Sequence, residues 1–455
     1  MNRDQKYSAW RNSKRLVPVA LVLLVVVTFT AYRIVSRSGV KREVEALRAR
    51  GLPTTLLELD KWYRVVPASE NAAIAFMDAY ALYVAPASTN NPSENNKMKR
   101  VLGEPLPQQL AEQVKMLLSK NRETIEELHK AAELTQSRYP IDMTRGFATL
   151  LPHLAQLKRL GQLLGWEAVQ QSADGSKDAA LKALKSAFAV AASLDEEPIL
   201  ISSLVRMAIL QETLRAMERV VSEQTLTTGE LEALSGLLVR AEARGKHALR
   251  RNISGERGFG LSGFEMDYKM FAAVSMGGTA PGSDLPGEVR LVLYELRRAV
   301  GISDKDKAFF ISSMAAYEKT LELEYPEMLR EARRIHQEIM TELQDNRIRY
   351  MVSGMLLPGV DAAVQKAAIN AGFLRSARTA LAIEEFRLKR GKMPTIDELV
   401  PEFLPEVSRD PVSGEVLVIE KLSKGYRVGA EEASELKTNG GKKKGESDVA
   451  FSVLK

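Results

Sequence analysis

The feature that most constrains this chain is an uncharged apolar run of seventeen residues at positions 16–32. As an α-helix rising about 1.5 Å per residue, this run extends roughly 26 Å. Apolar residues continue to position 35 beyond Arg33, a residue whose long side chain can reach back to a membrane surface. A bilayer core needs roughly 20 apolar residues. The sequence therefore predicts one transmembrane helix at residues 16–35, preceded by a basic tail at residues 1–15.

A cleaved signal peptide is the alternative interpretation, because it shares the basic residues ahead of the apolar run. The run is longer than the roughly 7–15 residues of a signal-peptide core, and the best small pair for cleavage, Thr28 and Thr30, is a poor match. We therefore expect a retained signal anchor. Five cations lie on each side of it, so charge alone does not orient it, but long following domains are translocated largely regardless of charge. We expect a cytoplasmic tail and a body beyond the membrane.

The net charge of +6 is concentrated at the start of the chain. Residues 1–50 contain 11 Lys and Arg against 3 Asp and Glu, whereas the rest contains 53 against 55. The body therefore has no excess of cations for nucleic-acid binding, and nucleic acid is not an expected partner. The absence of cysteine excludes disulfides, thiolate nucleophiles and cysteine-ligated metals.

Most of the remaining sequence has the 3.6-residue periodicity of amphipathic helices with short connections. We predict a mainly α fold, an antiparallel helical bundle or helical-hairpin array with a small C-terminal α+β domain. The predicted divisions are membrane-proximal helices with an Asn/Pro/Ser-rich loop (36–105), a helical body with a glycine-rich loop at 252–287 (106–358), and a long helix followed by a small β-hairpin (359–455). Within the body, Thr227 and Glu230 have capping-box spacing.

No pattern indicates catalytic, cofactor-binding or metal-binding residues. Residues 258–263 match G-x-G-x-x-G, but a dinucleotide site needs a strand before that turn, and helices precede it. The four histidines lie on separate predicted helices without metal-ligand spacing, and G-x-S-x-G is absent. The candidate interaction cluster is Glu58, Trp62, Tyr63, Glu70 and Asn71. Its alternative interpretation is an aromatic staple that packs the membrane-proximal helices.

Residues 380–429 resemble the C-terminal part of the major pseudopilins of type II secretion systems. The shared pattern is a helix ending at Phe386 and Gly391, then prolines, a D-P-x-S-G turn and a short strand. The turn consists of Asp410, Pro411, Ser413 and Gly414. The chain departs from that family in two ways: the apolar segment lacks a processed F-T-L-I-E-type start, and Lys442–Lys444 replace an acidic calcium loop. The resemblance therefore implies an architecture for the tail and not a pilus subunit.

The chain as a whole resembles a group of uncharacterised bacterial envelope proteins with an anchor, a helical body and this tail. The matching pieces are Gly51-Leu52-Pro53, Trp62-Tyr63, Glu197-Pro198, Gly255-Glu256-Arg257 and residues 447–451. This resemblance implies a single-pass protein of the bacterial inner membrane with a periplasmic body. We expect a scaffold or interaction module that contacts lipid through residues 16–35 and binds an unidentified protein. The alternatives are a component related to secretion or pilus machinery, acting through the tail, and an unrecognised hydrolase.

Overall fold

The computed structural model describes residues 3–86, 106–275, 286–430 and 450–455, without the side chains of 3–22, 25, 274 and 275. These residues form fifteen α-helices and one three-stranded sheet, so the prediction of a mainly α fold is confirmed. The helices are α1 (Arg3–Ala49), α2 (Leu56–Trp62), α3 (Ala72–Ala81), α4 (Gln108–Lys120), α5 (Arg122–Ala131), α6 (Pro152–Ala173), α7 (Lys177–Ala192), α8 (Leu200–Glu223), α9 (Thr228–Gly263), α10 (Tyr268–Ser275), α11 (Gly287–Val300), α12 (Ile302–Thr320), α13 (Glu327–Asp345), α14 (Met351–Leu356) and α15 (Pro358–Arg390).

The helix ends follow local sequence signals. Thr227 and Glu230 form the predicted capping box at the start of α9, since each side chain accepts a hydrogen bond from the backbone N–H of the other. α15 ends at Gly391, which has the left-handed φ of 69° that glycine adopts at little cost.

The glycine-rich loop predicted at 252–287 is wrong over its first half, because α9 continues through residue 263 and α10 follows it. Two of these glycines serve helix packing. A β-carbon at Gly255 would lie 1.9 Å from the carbonyl oxygen of Pro198, and one at Gly260 would lie 2.2 Å from Cζ of Phe310. The G-x-G-x-x-G match at 258–263 is thus inside a helix and cannot form a phosphate-binding turn.

Two hydrophobic clusters make up the core. One joins α3 and α5–α8 to the first part of α9, the second half of α15 and the sheet, and the other joins α11–α14 to later residues of α9 and the start of α15. Leu47, near the end of α1, belongs to the second cluster. α9 and α15 therefore cross both clusters, and the predicted division at residue 359 falls within the second cluster, at the start of α15.

The sheet has the order β1-β2-β3 and is antiparallel throughout, with β1 at Val418–Lys421, β2 at Tyr426–Gly429 and β3 at Ala450–Val453. Val428 pairs with Phe451, and both side chains are buried. The small β-hairpin predicted for the tail is thus part of a sheet to which β3 adds a third strand. The predicted polar loop of the tail, including Lys442–Lys444, lies outside the described residues, as do residues 87–105 of the predicted Asn/Pro/Ser loop.

The structure contains, among its described residues, no helix that is both long and apolar enough to span a bilayer. Residues 16–22 of the predicted anchor belong to the part of α1 without described side chains. The transmembrane helix at 16–35 therefore stays a prediction.

Candidate interaction site

The chain segment between α7 and α8, residues 193–199, brings buried polar groups to the centre of the first cluster. Asp195 is 3% exposed and Glu197 is fully buried. Buried carboxylates are costly unless they are paired and hydrogen-bonded. Their surroundings show how this segment is stabilised.

Glu197 has a partner for each carboxylate oxygen. Nε2 of His153 lies 3.1 Å from Oε1 and 3.0 Å from Oε2, and the hydroxyl of Ser202 donates a hydrogen bond of 2.5 Å to Oε1. The backbone carbonyl of Glu197 accepts a hydrogen bond of 2.7 Å from the amide of Asn252 on α9. The segment is thereby tied to α6, α8 and α9 at once.

Tyr139 connects this group to the candidate cluster near residue 62. Its ring stacks on His153 with centroids 4.4 Å apart, and its hydroxyl lies 2.7 Å from the hydroxyl of Ser193. Its backbone N–H donates to the hydroxyl of Tyr63, whose pKa is raised well above its usual value by burial and by the nearby negative charge of Glu197. Tyr63 therefore stays neutral and acts as an acceptor inside the core.

The structure brings three members of that cluster, Trp62, Tyr63 and Asn71, into packing and capping contacts. Asn71 caps α3 and exchanges hydrogen bonds of 2.9 Å with the backbone of Arg138. The Arg138 guanidinium lies over the Tyr63 ring, 4.5 Å from its centroid, and that of Arg251 lies 4.1 Å from the centroid of Trp62. These contacts hold the three side chains against residues of the body, and the interaction cluster and its aromatic-staple alternative both stay predictions.

The other two members lie at the edges and bind their own neighbours. Glu58 accepts hydrogen bonds from the backbone and hydroxyl of Thr54 and pairs with Arg48 on α1 at 2.9 Å. Glu70 accepts a hydrogen bond of 2.9 Å from Gln136. Glu58 therefore fixes α2 to the end of α1.

The turn predicted from the pseudopilin resemblance forms as a local structure. The Asp410 carboxylate accepts hydrogen bonds from the N–H groups of Val412 and Ser413, at 3.2 and 2.7 Å. Pro411 follows the aspartate, and Gly414 takes a φ of 82° against Pro326. The turn packs beside the start of α13.

A cleft of about 180 Å³ lies beside Ser193 and Asp195, and sequence reasoning missed it. Four cationic side chains and one carboxylate line it: Lys185, Arg206, Arg240, Arg244 and Asp195. Arg206 is 2% exposed, pairs with Asp195 and donates a hydrogen bond of 2.8 Å to the carbonyl of Ala241. Arg244 pairs with Asp195 at 3.3 Å, and Lys185 pairs with Glu133 at 2.9 Å. Four cations thus face two carboxylates, and the excess of positive charge suits a carboxylate or phosphate group. The four cations come from three helices, so their convergence had no signal in the sequence beyond the i, i+4 spacing of Arg240 and Arg244.

A second polar chain has the order of a hydrolase triad. Nδ1 of His129 lies 2.8 Å from the hydroxyl of Ser186, and its Nε2 lies 3.2 Å from Glu167. Ser186 is 2% exposed and sits within α7, where the backbone N–H groups are used by the helix. Acyl transfer needs an accessible nucleophile and free donors for an oxyanion, and this arrangement offers neither.

The other two histidines also have partners. His247 lies 3.0 Å from Glu196 at the surface, and His336 lies 3.2 Å from the hydroxyl of Tyr317. Across the ranges that the structure describes, no group of three or more His, Asp or Glu side chains is placed to hold a metal ion.

Comparison with known protein families, with curated proteins and with solved structures finds no match to this chain. The resemblances to pseudopilins and to the envelope group therefore stay expectations, and function is argued from the geometry alone.

Proposed function

We propose that this protein is a membrane-anchored helical scaffold whose body binds a partner outside the bilayer. The observation that carries the proposal is the exposure of α1. Every residue with a described side chain from 23 to 31 is exposed, including Leu23 at 58% and Val27 at 62%. Consecutive residues of a helix point in all directions, so this segment presents apolar side chains on every side. Lipid is the environment that such a surface fits.

The second half of α1 fixes the body to this segment. Arg33 pairs with Asp304 at 3.0 Å, and Lys305 lies over the ring of Tyr32 at 5.0 Å. Farther along, Leu47 is buried and Arg50 pairs with Glu318 at 3.2 Å. α1 and α12 therefore run side by side in the same direction. Because α1 contacts α12 directly, a membrane-embedded first half of α1 would hold the body in a fixed orientation relative to the membrane, with no flexible linker between them.

The cationic cleft supports a binding role for the body. Its volume is below the roughly 300–1,000 Å³ of small-molecule pockets, and it suits one acidic side chain of a protein partner. The buried networks around Glu197 and His129 stabilise the helices that surround the cleft. The cleft is therefore already formed before a partner binds.

Anchoring is tested by washing membranes that contain the full chain with alkaline carbonate and then sedimenting them. We expect the protein in the pellet. Recovery of the intact chain in the supernatant would contradict the anchor.

Partner binding is tested by crosslinking in membranes, with Arg240→Glu as the cleft variant and Lys158→Glu, an exposed residue of α6, as the matched control. We expect the wild type and the control to recover the same crosslinked protein, and Arg240→Glu to recover less of it. Equal recovery by all three would remove the cleft from the proposal.

A further inference from the structure

A pocket of about 440 Å³ is lined by residues of α8, α9 and α15 and shares Arg206 and Ala241 with the cationic cleft. Its volume falls within the roughly 300–1,000 Å³ of small-molecule sites. Apolar side chains from all three helices supply much of its lining: Met207, Val239, Ala367, Ala371 and Leu374. A pocket of this size and lining suits a small molecule with an aliphatic part.

Arg206 offers this pocket one nitrogen that the body does not use. Its Nε pairs with Asp195, and its Nη2 donates a hydrogen bond of 2.8 Å to the carbonyl of Ala241. Among the described residues, Nη1 has no hydrogen-bond partner. A β-carbon at Gly245 would lie 3.3 Å from Nη1, and Gly245 also lines the pocket. The missing side chain of Gly245 therefore leaves room for a ligand atom beside Nη1.

Asn370 on α15 is a second polar group of the pocket, and it is only 4% exposed. Its Oδ1 is closed off from solvent and has no hydrogen-bond partner in the part of the chain that the structure describes. The nearby lining residues of the same helix, Ala367, Ala371 and Leu374, have no side-chain donor to offer. A buried acceptor without a donor is unfavourable. A rotation of the amide would turn this oxygen toward a ligand that carries a hydroxyl group.

The charges of the pocket leave one positive charge in excess. Five charged side chains line it, three cations and two carboxylates. Four of them form two ion pairs, Glu242 with Arg375 at 2.7 Å and Lys246 with Glu324 at 2.6 Å. The fifth, Arg206, shares Asp195 with Arg244, which lies 3.3 Å from the same carboxylate. A single carboxylate on a ligand would balance this excess, and its hydrogen bond to a guanidinium is a strong one.

We propose that this pocket binds a small aliphatic hydroxy acid. The ligand's carboxylate accepts a hydrogen bond from Nη1 of Arg206, and its hydroxyl donates one to Oδ1 of Asn370. The aliphatic part packs against Met207 and Leu374. This site goes beyond the binding of a protein partner in the cationic cleft, and it does not depend on the membrane anchor.

The test uses the full chain in lipid nanodiscs, with empty nanodiscs as the blank, and ligand-observed NMR titration to measure Kd. The probes are 2-hydroxy-4-methylpentanoate and 3-hydroxy-4-methylpentanoate. Two reference compounds each lack one of the proposed contacts: 4-methylpentanoate has no hydroxyl, and 2-hydroxy-4-methylpentanamide has no charge. We expect at least one hydroxy acid to bind about tenfold more tightly than either reference, because each reference loses one hydrogen bond.

Two substitutions remove the contacts one at a time. Gly245→Ala places a methyl group against Nη1 of Arg206, and Asn370→Leu removes the amide. Gly236→Ala is the matched control on the same helix, because its β-carbon would meet Nη1 of Arg240 at 3.4 Å, outside this pocket. We expect Kd for the hydroxy acid to rise about tenfold in the first two variants and to stay unchanged in the control.

The melting temperature separates lost binding from lost folding. It should not fall in Gly245→Ala, since alanine favours a helix over glycine, or in Asn370→Leu, which removes an unsatisfied buried acceptor. A lower melting temperature in Asn370→Leu would show that the amide already has a partner within the protein, and the inference would be overturned. It would also be overturned if neither hydroxy acid bound the wild type, or if Asn370→Leu or Gly245→Ala bound it as tightly as Gly236→Ala does.

Discussion

Gly255 on α9 packs so closely on Pro198 that a β-carbon at position 255 would lie 1.9 Å from the Pro198 carbonyl oxygen. Leu200 lies two residues after Pro198, and its backbone N–H donates a hydrogen bond of 2.9 Å to the side chain of Glu256, the neighbour of Gly255. The connection between α7 and α8 therefore requires a residue without a side chain at one position of the opposing helix.

Gly255→Ala should destabilise the protein by about 3 kcal/mol, because the added methyl group forces the two backbones apart. Gly258→Ala is the matched control, since its β-carbon would have its nearest neighbour at 3.6 Å. The control should be neutral or stabilise the helix by up to about 1 kcal/mol. Thermal unfolding followed by circular dichroism in detergent separates them. Equal melting temperatures would contradict the close contact.

Glu197→Ala should cost about 3–5 kcal/mol, because it leaves His153 and Ser202 without their buried partner. The adjacent Glu196→Ala removes a carboxylate that is about half exposed and pairs with His247 at 3.0 Å and with Arg251 at 3.1 Å. Surface pairs contribute about 1 kcal/mol or less. Chemical denaturation of the two variants measures the difference. A loss for Glu197→Ala no larger than that for Glu196→Ala would mean that the buried network does not stabilise the fold.

The docking of β3 should weaken as the pH rises. Burial raises the pKa of Glu218 to about 7, although Arg215 and the N–H of Ser452 on β3 favour its charged form. The folded protein therefore keeps a proton that the unfolded chain loses near pH 4.5, so stability is fully present below that pH and is lost as the pH rises through about 7. The change amounts to at most about 3 kcal/mol.

Hydrogen exchange of residues 450–455 between pH 5 and 8, corrected for the intrinsic rate, measures this effect. Protection should fall across that range in the wild type and vary less in Glu218→Gln, which is neutral throughout. Glu232→Gln, an exposed site on α9, is the control and should behave as the wild type does. An identical pH profile for Glu218→Gln would contradict the assignment to Glu218.

Arg33→Ala should loosen the junction of α1 with α11 and α12, because it removes the pair with Asp304 and the hydrogen bond to Arg298. Arg33 is 17% exposed at its side chain, and we expect a local loss of about 1–2 kcal/mol. Arg37→Ala is the control, since Arg37 is 69% exposed and lies 4.0 Å from the same carboxylate. Hydrogen exchange in the last turn of α11 should accelerate in the first variant alone. Unchanged exchange in Arg33→Ala would show that this pair does not hold the junction.

The parts of the fold that local chemistry decides were predictable from the sequence. The capping box at Thr227, the helix end at Gly391 and the small hairpin of β1 and β2 each depend on residues close together in the chain. Glycine was a misleading signal at positions where contacts with distant residues determine the structure. Gly255 and Gly260 indicated a loop, yet both lie within α9 because Pro198 and Phe310 pack against them.

The candidate site shows the same limit. Trp62 and Tyr63 were identifiable as a polar and aromatic cluster, but their partners Arg251 and Tyr139 lie far away in the sequence. The cleft around Arg206 depends on the crossing of α7, α8 and α9, which periodicity does not specify. A single sequence gives the faces of these helices and not the pairing between them.

The passage of α9 and α15 through both hydrophobic clusters makes the body one cooperative unit. Neither cluster can lose its packing without exposing half of a helix that the other needs, so heating should produce a single transition. α15 has 33 residues and spans about 50 Å. A load applied where α1 meets α12 would pass through α13 and α14 to α15, and along α15 to the distant sheet.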